Sequence, residues 1–399
     1  MKFSCWPASF PTPAEEMFLK AAILEGEDGA RAWQDWKSRE DIHSVDYPVY
    51  RLLPALYLNL KKNAIEDPLL PKLKGIYKYA WAKNQILLKT TSLVLEAFNK
   101  ENIPTILLKG LPLVLLAYKH SGGRFMDDVD LLVHPEKVVQ AITLLRNSGW
   151  VPIGKNVMKT LSNLEERLDF LPSGFAFKNE NDVRIDFHRK IKFEPHRFYS
   201  MSNSGIWENS IRLTVNDVPT ATLCPSDMLL HVCVHGVPWN DHRPFRWVVD
   251  SMKIIEAWPD LDWDQVVART EQLEIQVPAN AALSYLNEKF KAPIPKEVLL
   301  ALSKIPITSK EEKRFNYYTS SAFSKSMVFS PLPILWAQYK NLLNENPELI
   351  KRLGIIGYFQ FCFNLDHIGQ FPKLVFLKLA QRLIIRLREI SKKLFYGRE

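Results

Sequence analysis

The sequence predicts a mixed α/β (α+β) fold, in which a small mixed β-sheet is flanked by helical segments. Apolar residues recur at helical spacing up to about residue 102. Short apolar runs of strand length then fill residues 103–222, and helical spacing returns from residue 223. We therefore expect a helical N-terminal segment over 1–102, an α/β core over 103–222 and a helical C-terminal domain over 223–399. The 399 residues, 47% of them hydrophobic, can bury cores of this size.

The N-terminal segment is expected to be entirely helical. Its apolar residues follow the three-to-four-residue spacing of amphipathic helices in the runs MFLKAAIL, VYRLLPALYLNL and AWAKNQILLKTTSLVLEAFNK. Prolines at positions 48, 54, 68 and 71 divide these runs. Several helices of unequal length follow from this punctuation.

The middle third is expected to alternate strands with helices. TILL is a short apolar run that ends at Lys109-Gly110, after which LPLVLLAYKH restarts as a helix with Pro112 in its first turn. DDVDLLV alternates acidic and apolar residues, stops at Pro135 and precedes the helical pattern EKVVQAITLLRNSGW. Further strand candidates are WVPI, GFAFKN, VRIDFHRKI and IRLTV.

The C-terminal third is expected to be helical, in SDMLLHVCVHG, FRWVVDSMKIIEAW, WDQVVARTEQL and a Leu/Ile-rich tail. From Pro372 the tail carries eight Lys and Arg residues against Glu389 and Glu399. A basic amphipathic helix of this kind either contacts an anionic membrane or a partner, or packs its apolar side on its own domain. We favour packing on the domain and keep peripheral membrane contact as the alternative.

Charge and cysteine content limit the class of protein. Lys plus Arg exceeds Asp plus Glu by 52 to 44, which suits a polyanionic partner or nucleotide phosphates. The four cysteines are far apart and form no C-x-x-C pair, which argues against a disulfide scaffold or a zinc ribbon and favours a reducing cytoplasm. The N-terminus lacks the apolar core of a signal peptide, and no apolar stretch is long enough to predict a transmembrane helix.

Three aspartates form the candidate site. Asp128 and Asp130 alternate with Val129 along one predicted strand, so both carboxylates project to one face about 7 Å apart. Asp186 lies in a second alternating run, VRIDFHR, and joins them if the two strands are neighbours. Converging carboxylates are typical ligands of Mg²⁺, with Mn²⁺ as an alternative, and two such ions can hold a triphosphate for in-line displacement.

The run LLKGLPLVLLAYKHSGGRFMDDVDLLV, followed by VRIDFHR, LLHVCVHG and FRWVVDSMKII, resembles an uncharacterised bacterial nucleotidyltransferase-like family of the DNA polymerase β superfamily. The resemblance covers nearly the whole chain, and it implies a sheet of nucleotidyltransferase type. It also implies that Asp128 and Asp130 are the metal pair, with Asp186 as the third carboxylate and the group that helps deprotonate an acceptor hydroxyl. The expected cofactor is a pair of Mg²⁺ ions.

One motif departs from the superfamily. Members usually place Gly-Ser after the first strand to meet the triphosphate, whereas this chain has Lys109-Gly110-Leu111 and lacks the hydroxyl. Gly110 still permits close backbone approach, and Lys109 offers a positive charge to the phosphates. Arg124, just before the acidic strand, is a further candidate for phosphate binding.

Each candidate also has a structural interpretation. Asp128 and Asp130 would be a solvated strand end if taken alone, and Glu165, Glu166 and Asp169 compete with Asp186 for the third position. His231 and His235, four apart on a predicted helix, could hold zinc but are expected to be packed histidines; the resemblance also matches His235-Gly236 and leaves His235 a substrate-positioning role. His188 either orients Asp186 or lies at the surface. Trp247 and Asp250 are expected to fix the helix closing the pocket, with base stacking on Trp247 as the alternative.

These residues favour a metal-dependent enzyme that transfers an NMP group from an NTP to an acceptor. The sequence does not identify the acceptor: a small molecule, a peptide, a protein or an RNA end are all compatible, and no RNA-binding module is recognisable. Two alternatives remain at this point. In the first, the protein is a non-catalytic nucleotide-binding scaffold that associates with a partner or a membrane. In the second, the same residues transfer a phosphoryl group.

Overall fold

The computed structural model describes residues 6–7, 9–154, 173–191, 205–237 and 245–319, together with isolated positions elsewhere. Residues 1–153 and 172–324 form one compact unit, and residues 154–171 and 325–399 form a second. The elements below all lie in the first unit. Glu165, Glu166, Asp169 and the basic tail beyond residue 372 lie outside the described residues.

Five helices precede the sheet, as the N-terminal apolar spacing predicts. The first begins with a capping box, in which Thr12 and Glu15 each bind the other's backbone N–H. The fifth is 31 residues long and leads directly into the sheet. The helices are α1 (Pro13–Ile23), α2 (Gly26–Lys37), α3 (Tyr47–Tyr50), α4 (Leu53–Lys62) and α5 (Leu70–Lys100).

The sheet has seven strands in the order β3-β4-β5-β2-β1-β7-β6. β2 pairs in parallel with β5 and β1 with β7, while the other neighbours are antiparallel. The strands are β1 (Thr105–Leu108), β2 (Val129–Val133), β3 (Val151–Pro152), β4 (Gly174–Lys178), β5 (Arg184–His188), β6 (Ile211–Val215) and β7 (Val218–Thr222). The predicted α+β class, a mixed sheet with many helices, is confirmed.

Several elements differ from the expectations in detail. WVPI forms only the two-residue β3. The helix expected after Lys109 is a short α6 (Gly110–Pro112) that widens into a π-helical turn over Leu113–Tyr118. β7, which the sequence did not predict, follows β6 through a turn in which Asn216 and Asp217 both have positive φ. That backbone is typical of a two-residue hairpin turn, and the turn therefore explains the extra strand.

Seven further α-helices are described in this unit. α7 (Val138–Asn147) follows β2, and the rest follow β7. Helices from both ends of the unit share one apolar core, in which Phe10 packs against Trp247 and Tyr285. The later helices are α8 (Pro225–Gly236), α9 (Arg246–Ala257), α10 (Trp263–Gln272), α11 (Gln276–Phe290), α12 (Lys296–Lys304) and α13 (Ser309–Thr319).

Candidate functional site

Two aspartates lie side by side on neighbouring strands. In the parallel pairing of β2 with β5, Asp130 stands opposite Asp186, and Leu132 stands opposite His188. Because side chains alternate along a strand, Asp130, Asp186 and His188 share one face of the sheet. The two strands that carry the predicted aspartates are therefore neighbours, in the register that brings these two carboxyl groups together.

The side chains on this face converge on Asp130. Its Oδ1 accepts a hydrogen bond from Lys109 Nζ at 2.7 Å and lies 2.9 Å from His188 Nε2. Asp130, Asp186 and His188 each offer one ligand atom, and these atoms all lie within 4.8 Å of one another. His188, for which the sequence left a surface position open, thus contacts Asp130 and lies within the site.

Asp128 lies just outside the strand. β2 begins at Val129, so the strand alternation that predicts a shared face for Asp128 and Asp130 starts one residue too late to include Asp128. Asp128 nevertheless lies close enough to Asp186 for its charge to raise the pKa of that carboxyl group. The loop before β2, rather than the strand itself, holds this third carboxylate near the other two.

The three carboxyl groups have different proton affinities. Burial and the charges of Asp128 and Asp130 raise the pKa of Asp186 to about 6. Burial and the charge of Asp130 also raise the pKa of Asp128. For Asp130 burial acts in the same direction, but Lys109 and His188 outweigh it and hold its pKa well below the usual range. Like charges close together on one face of the sheet destabilise the ionised site, and a bound cation would relieve that repulsion.

Lys109 has an unusual backbone conformation. Its φ is 51° and its ψ is −108°, a region that residues with a side chain rarely occupy. Such a conformation costs on the order of 1–3 kcal/mol and is found most often at functional sites. It allows the chain to leave β1, begin α6 at Gly110 and still direct the Lys109 ammonium group to Asp130.

Arg124 and Asp250 form a buried ion pair behind Gly110. Arg124 donates from Nε and Nη2 to the two oxygens of Asp250, at 2.8 and 2.9 Å, and Tyr118 Oη donates to the same carboxylate at 2.8 Å. A Cβ on Gly110 would lie 2.8 Å from Arg124 Nη1, so this position has no room for a side chain. The structure thus gives Arg124 a buried partner, and its contact with phosphate stays a prediction.

α8 and α9 supply the remaining candidates. Burial and the charge of Lys109 lower the pKa of His235 well below its usual value, which places His235 close to the site. Trp247 is 3% exposed and packs with Phe10 and Tyr285, so its ring belongs to the core. A Cβ on Gly236 would lie 2.4 Å from Trp247 Cβ, and glycine there allows α8 and α9 to pack closely.

Asp127 is a contact point that the sequence analysis did not identify. It accepts hydrogen bonds from Tyr47 Oη at 2.9 Å and from Lys83 Nζ, and it forms an ion pair with Arg51 Nη2 at 3.0 Å. Tyr47 lies on α3, Arg51 directly follows α3 and Lys83 lies on α5, so all three donors are distant from Asp127 along the chain. No local pattern in the sequence signals these contacts.

The donor set suits a divalent cation. Two carboxylates and an imidazole have ligand atoms within 4.8 Å of one another, and the carboxylates provide the oxygen ligands that Mg²⁺ and Mn²⁺ prefer. Within the described residues, this candidate group includes neither His231 nor His235, whose rings lie 5.8 Å apart on α8.

In the part of the chain that the structure describes, no helix is both long and apolar enough to cross a membrane.

Comparison with known proteins agrees with this class of site. A family described as uncharacterised nucleotidyltransferase matches residues 49–291, more than half of the chain. The chain therefore belongs to this nucleotidyltransferase family. The match begins within α3, ends just after α11 and includes Lys109, Asp128, Asp130, Asp186 and His188.

A solved structure also resembles the chain. It is a crystal structure of an antigenic nucleotidyltransferase-like protein from Paracoccidioides brasiliensis, at 15% sequence identity and a TM-score of 0.32. The likeness covers 56% of this chain and 95% of that one. A comparison with curated proteins gave no match.

Proposed function

We propose that this protein transfers a nucleotidyl group from an NTP to an acceptor hydroxyl, with release of pyrophosphate and with the help of divalent cations. The observation that carries the proposal is the pairing of Asp130 with Asp186 on parallel strands, with Lys109 and His188 around them. Membership in a nucleotidyltransferase family supports the reaction class. The placement of the family in the DNA polymerase β superfamily is part of the same proposal.

The carboxylates have distinct roles in this proposal. Asp130 and Asp186, with Asp128 beside them, would hold the cations, for which Mg²⁺ is expected and Mn²⁺ would also suit the His188 nitrogen. Divalent cations bound there would neutralise the triphosphate and polarise the reacting oxygens. Lys109 and the backbone at Gly110 would contact phosphate oxygens, as a point charge and as N–H donors.

Asp186 is the proposed general base. Without a bound cation, burial and the charge of Asp128 raise its pKa to about 6, so Asp186 is ionised at neutral pH, as a general base must be. It would take the proton of the acceptor hydroxyl while the acceptor oxygen bonds to the α-phosphorus. The bond from that phosphorus to the bridging oxygen then breaks, and pyrophosphate leaves.

The test is transfer of label from each α-labelled NTP, in Mg²⁺ or Mn²⁺, to acceptors in a cell extract. Asp130→Asn should lower transfer on the order of 10²- to 10³-fold, because it removes the charge at the centre of the site. Asp182→Asn is the matched control, since Asp182 is an exposed carboxylate on the turn before β5. Equal transfer by Asp130→Asn and Asp182→Asn would contradict the assigned site.

Mass spectrometry of the labelled product identifies the reaction. An added NMP mass supports nucleotidyl transfer, and an added phosphate supports phosphoryl transfer instead. NTP binding with no product on any acceptor supports a non-catalytic nucleotide-binding protein.

A further inference from the structure

Three cationic side chains surround the segment that leads into Asp128. Arg51, which follows α3, and Lys83, on α5, both bind Asp127. Arg246, the first residue of α9, donates from Nη1 to the backbone carbonyl of Phe125 at 3.1 Å. We call Arg51, Lys83 and Arg246 the cation cluster. All three contact residues 125–127, directly before the carboxylate site.

The cation cluster and Arg124 together carry more positive charge than the carboxylates that they contact directly. Asp127 is shared by Arg51 and Lys83, and Asp250 is bound on both oxygens by Arg124 while Arg246 Nε lies 3.8 Å away. Four cations thus share the two carboxylates that they contact. Burial and the charges of Arg124 and Arg51 accordingly lower the pKa of Arg246 to about 9.

Arg51 also keeps an unused donor. Its buried Nε has no hydrogen-bond partner within the part of the chain that the structure describes. A buried donor without a partner costs free energy, so stability alone does not explain this Nε. The side chains of Arg51 and Arg246 are each 23% exposed, and their planar guanidinium groups can bind an anion with several oxygens in a bidentate manner.

The cation cluster and the carboxylates lie next to each other and have opposite charge. Asp127, which binds the cluster, and Asp128, which lies beside Asp130 and Asp186, are consecutive residues with Cα atoms about 3.8 Å apart. A metal–triphosphate complex has the complementary arrangement, with cations for the carboxylates and non-bridging oxygens for the cluster. The chain also lacks the hydroxyl expected at Gly110-Leu111, so phosphate oxygens need donors from elsewhere.

We propose that Arg51, Lys83 and Arg246 bind the polyphosphate of the NTP, an inference that rests on the proposed nucleotidyl transfer. The helices that flank the sheet then contribute directly to the substrate site. Asp127 holds Arg51 and Lys83 in place before the substrate arrives, and the donors that it does not use contact phosphate oxygens.

The first experiment measures binding of inorganic tripolyphosphate to the full chain by calorimetry, in EDTA, so that neither metal nor turnover is needed. Arg51→Gln, Lys83→Gln and Arg246→Gln should each weaken binding about tenfold or more, the usual effect of losing a charged hydrogen bond. Lys78→Gln is the matched control, because Lys78 is exposed on α5 and should bind within twofold of the wild type. Wild-type affinity in all three cluster variants would overturn the proposal.

Two further sets of variants are measured in the same tripolyphosphate binding experiment. Should a Gln variant fail to fold, Arg51→Lys and Arg246→Lys retain the charge but lose the bidentate geometry, and they should bind tripolyphosphate with intermediate affinity. Asp130→Asn should bind tripolyphosphate at least as tightly as the wild type, because a negative charge is removed. Weaker binding by Asp130→Asn would count against the arrangement of charges proposed here.

Turnover separates failure of this inference from failure of the proposed function. If label transfer depends on Asp130 but the KM for NTP is unchanged in the cluster variants, the proposed nucleotidyl transfer is supported and the cation cluster does not bind the NTP. If no transfer occurs but tripolyphosphate binding depends on Arg51, Lys83 and Arg246, the anion site is supported and the proposed nucleotidyl transfer is contradicted.

Discussion

Asp186 and Asp250 are the same type of residue in opposite surroundings. Asp250 is buried, yet Arg124 outweighs the burial and lowers its pKa, and both of its oxygens accept hydrogen bonds. Asp186 is half-buried among carboxylates, and burial together with Asp128 raises its pKa. The first arrangement stabilises the fold, whereas the second lowers stability until a cation binds. The difference shows which of the two charged groups is built for a ligand.

The largest effect is expected from Asp250→Asn, which breaks the neutralised group. Removing the charge leaves Arg124 buried without its counter-ion, and the free energy of unfolding should fall by about 3 kcal/mol or more. Urea denaturation measures this loss. A loss below about 1 kcal/mol would mean that Arg124 finds another partner and that the pair is not the structural group described here.

A smaller loss of stability is expected from a change at the contact between α8, which carries His235, and α9, which carries Asp250. Gly236→Ala places a methyl group against Trp247, and overpacking of this kind costs about 1–3 kcal/mol. Because α8 carries His235 toward the carboxylates and α9 carries Asp250, label transfer should fall as well. The matched control is Gly75→Ala in α5, where a Cβ meets nothing within 4 Å and stability should rise by about 0.5–1 kcal/mol. Equal stability of the two variants in urea would contradict this packing.

Asp186→Asn should change the free energy of unfolding in the opposite direction to Asp250→Asn. In EDTA at pH 7 it removes a charge held among like charges, and the free energy of unfolding should rise by about 1 kcal/mol. The pKa of Asp186 in the folded protein, about 6, lies above its unfolded value. The destabilisation by Asp186 is therefore fully present above pH 6 and disappears as the pH falls toward 4. Urea denaturation at pH 7 and pH 4 should show the gain at the first pH only.

The smallest effect is stabilisation by a cation. At a Mn²⁺ concentration equal to its Kd, binding to the folded state adds about 0.4 kcal/mol. This gain should shrink below pH 6, because a proton on Asp186 competes with the ion. Thermal melts with and without Mn²⁺ at pH 7 and pH 5 provide the measurement. A Tm increase that is equal in wild type and Asp186→Asn would place the ion elsewhere.

Local patterns predict the fold and part of the site. The alternation in DDVDLLV and VRIDFHR predicts β2 and β5, and it places Asp130 and Asp186 on strand faces that the pairing brings together. Helical spacing predicts the long helices, because one apolar stripe must face the core. β7 was missed because VPTAT is weakly apolar and contains Pro219.

Long-range contacts could not be predicted in this way. Arg124 and Asp250 are 126 residues apart, and neither the spacing nor the composition around them indicates that they pair. The same holds for Tyr47 and Asp127, which are 80 residues apart. The positive φ of Lys109 is also not visible in the sequence, because the chain uses lysine where a glycine would signal such a turn.

The parallel pairing of β2 with β5 also bears on how this family can diversify. Parallel strands cannot be joined by a tight turn, so the polypeptide between Val133 and Arg184 must make a long connection. The ladder of backbone hydrogen bonds fixes the spacing of Asp130 and Asp186 independently of that connection. Insertions and deletions there can change the surroundings of the two carboxylates while the spacing between them stays the same, provided that β4 retains its place beside β5.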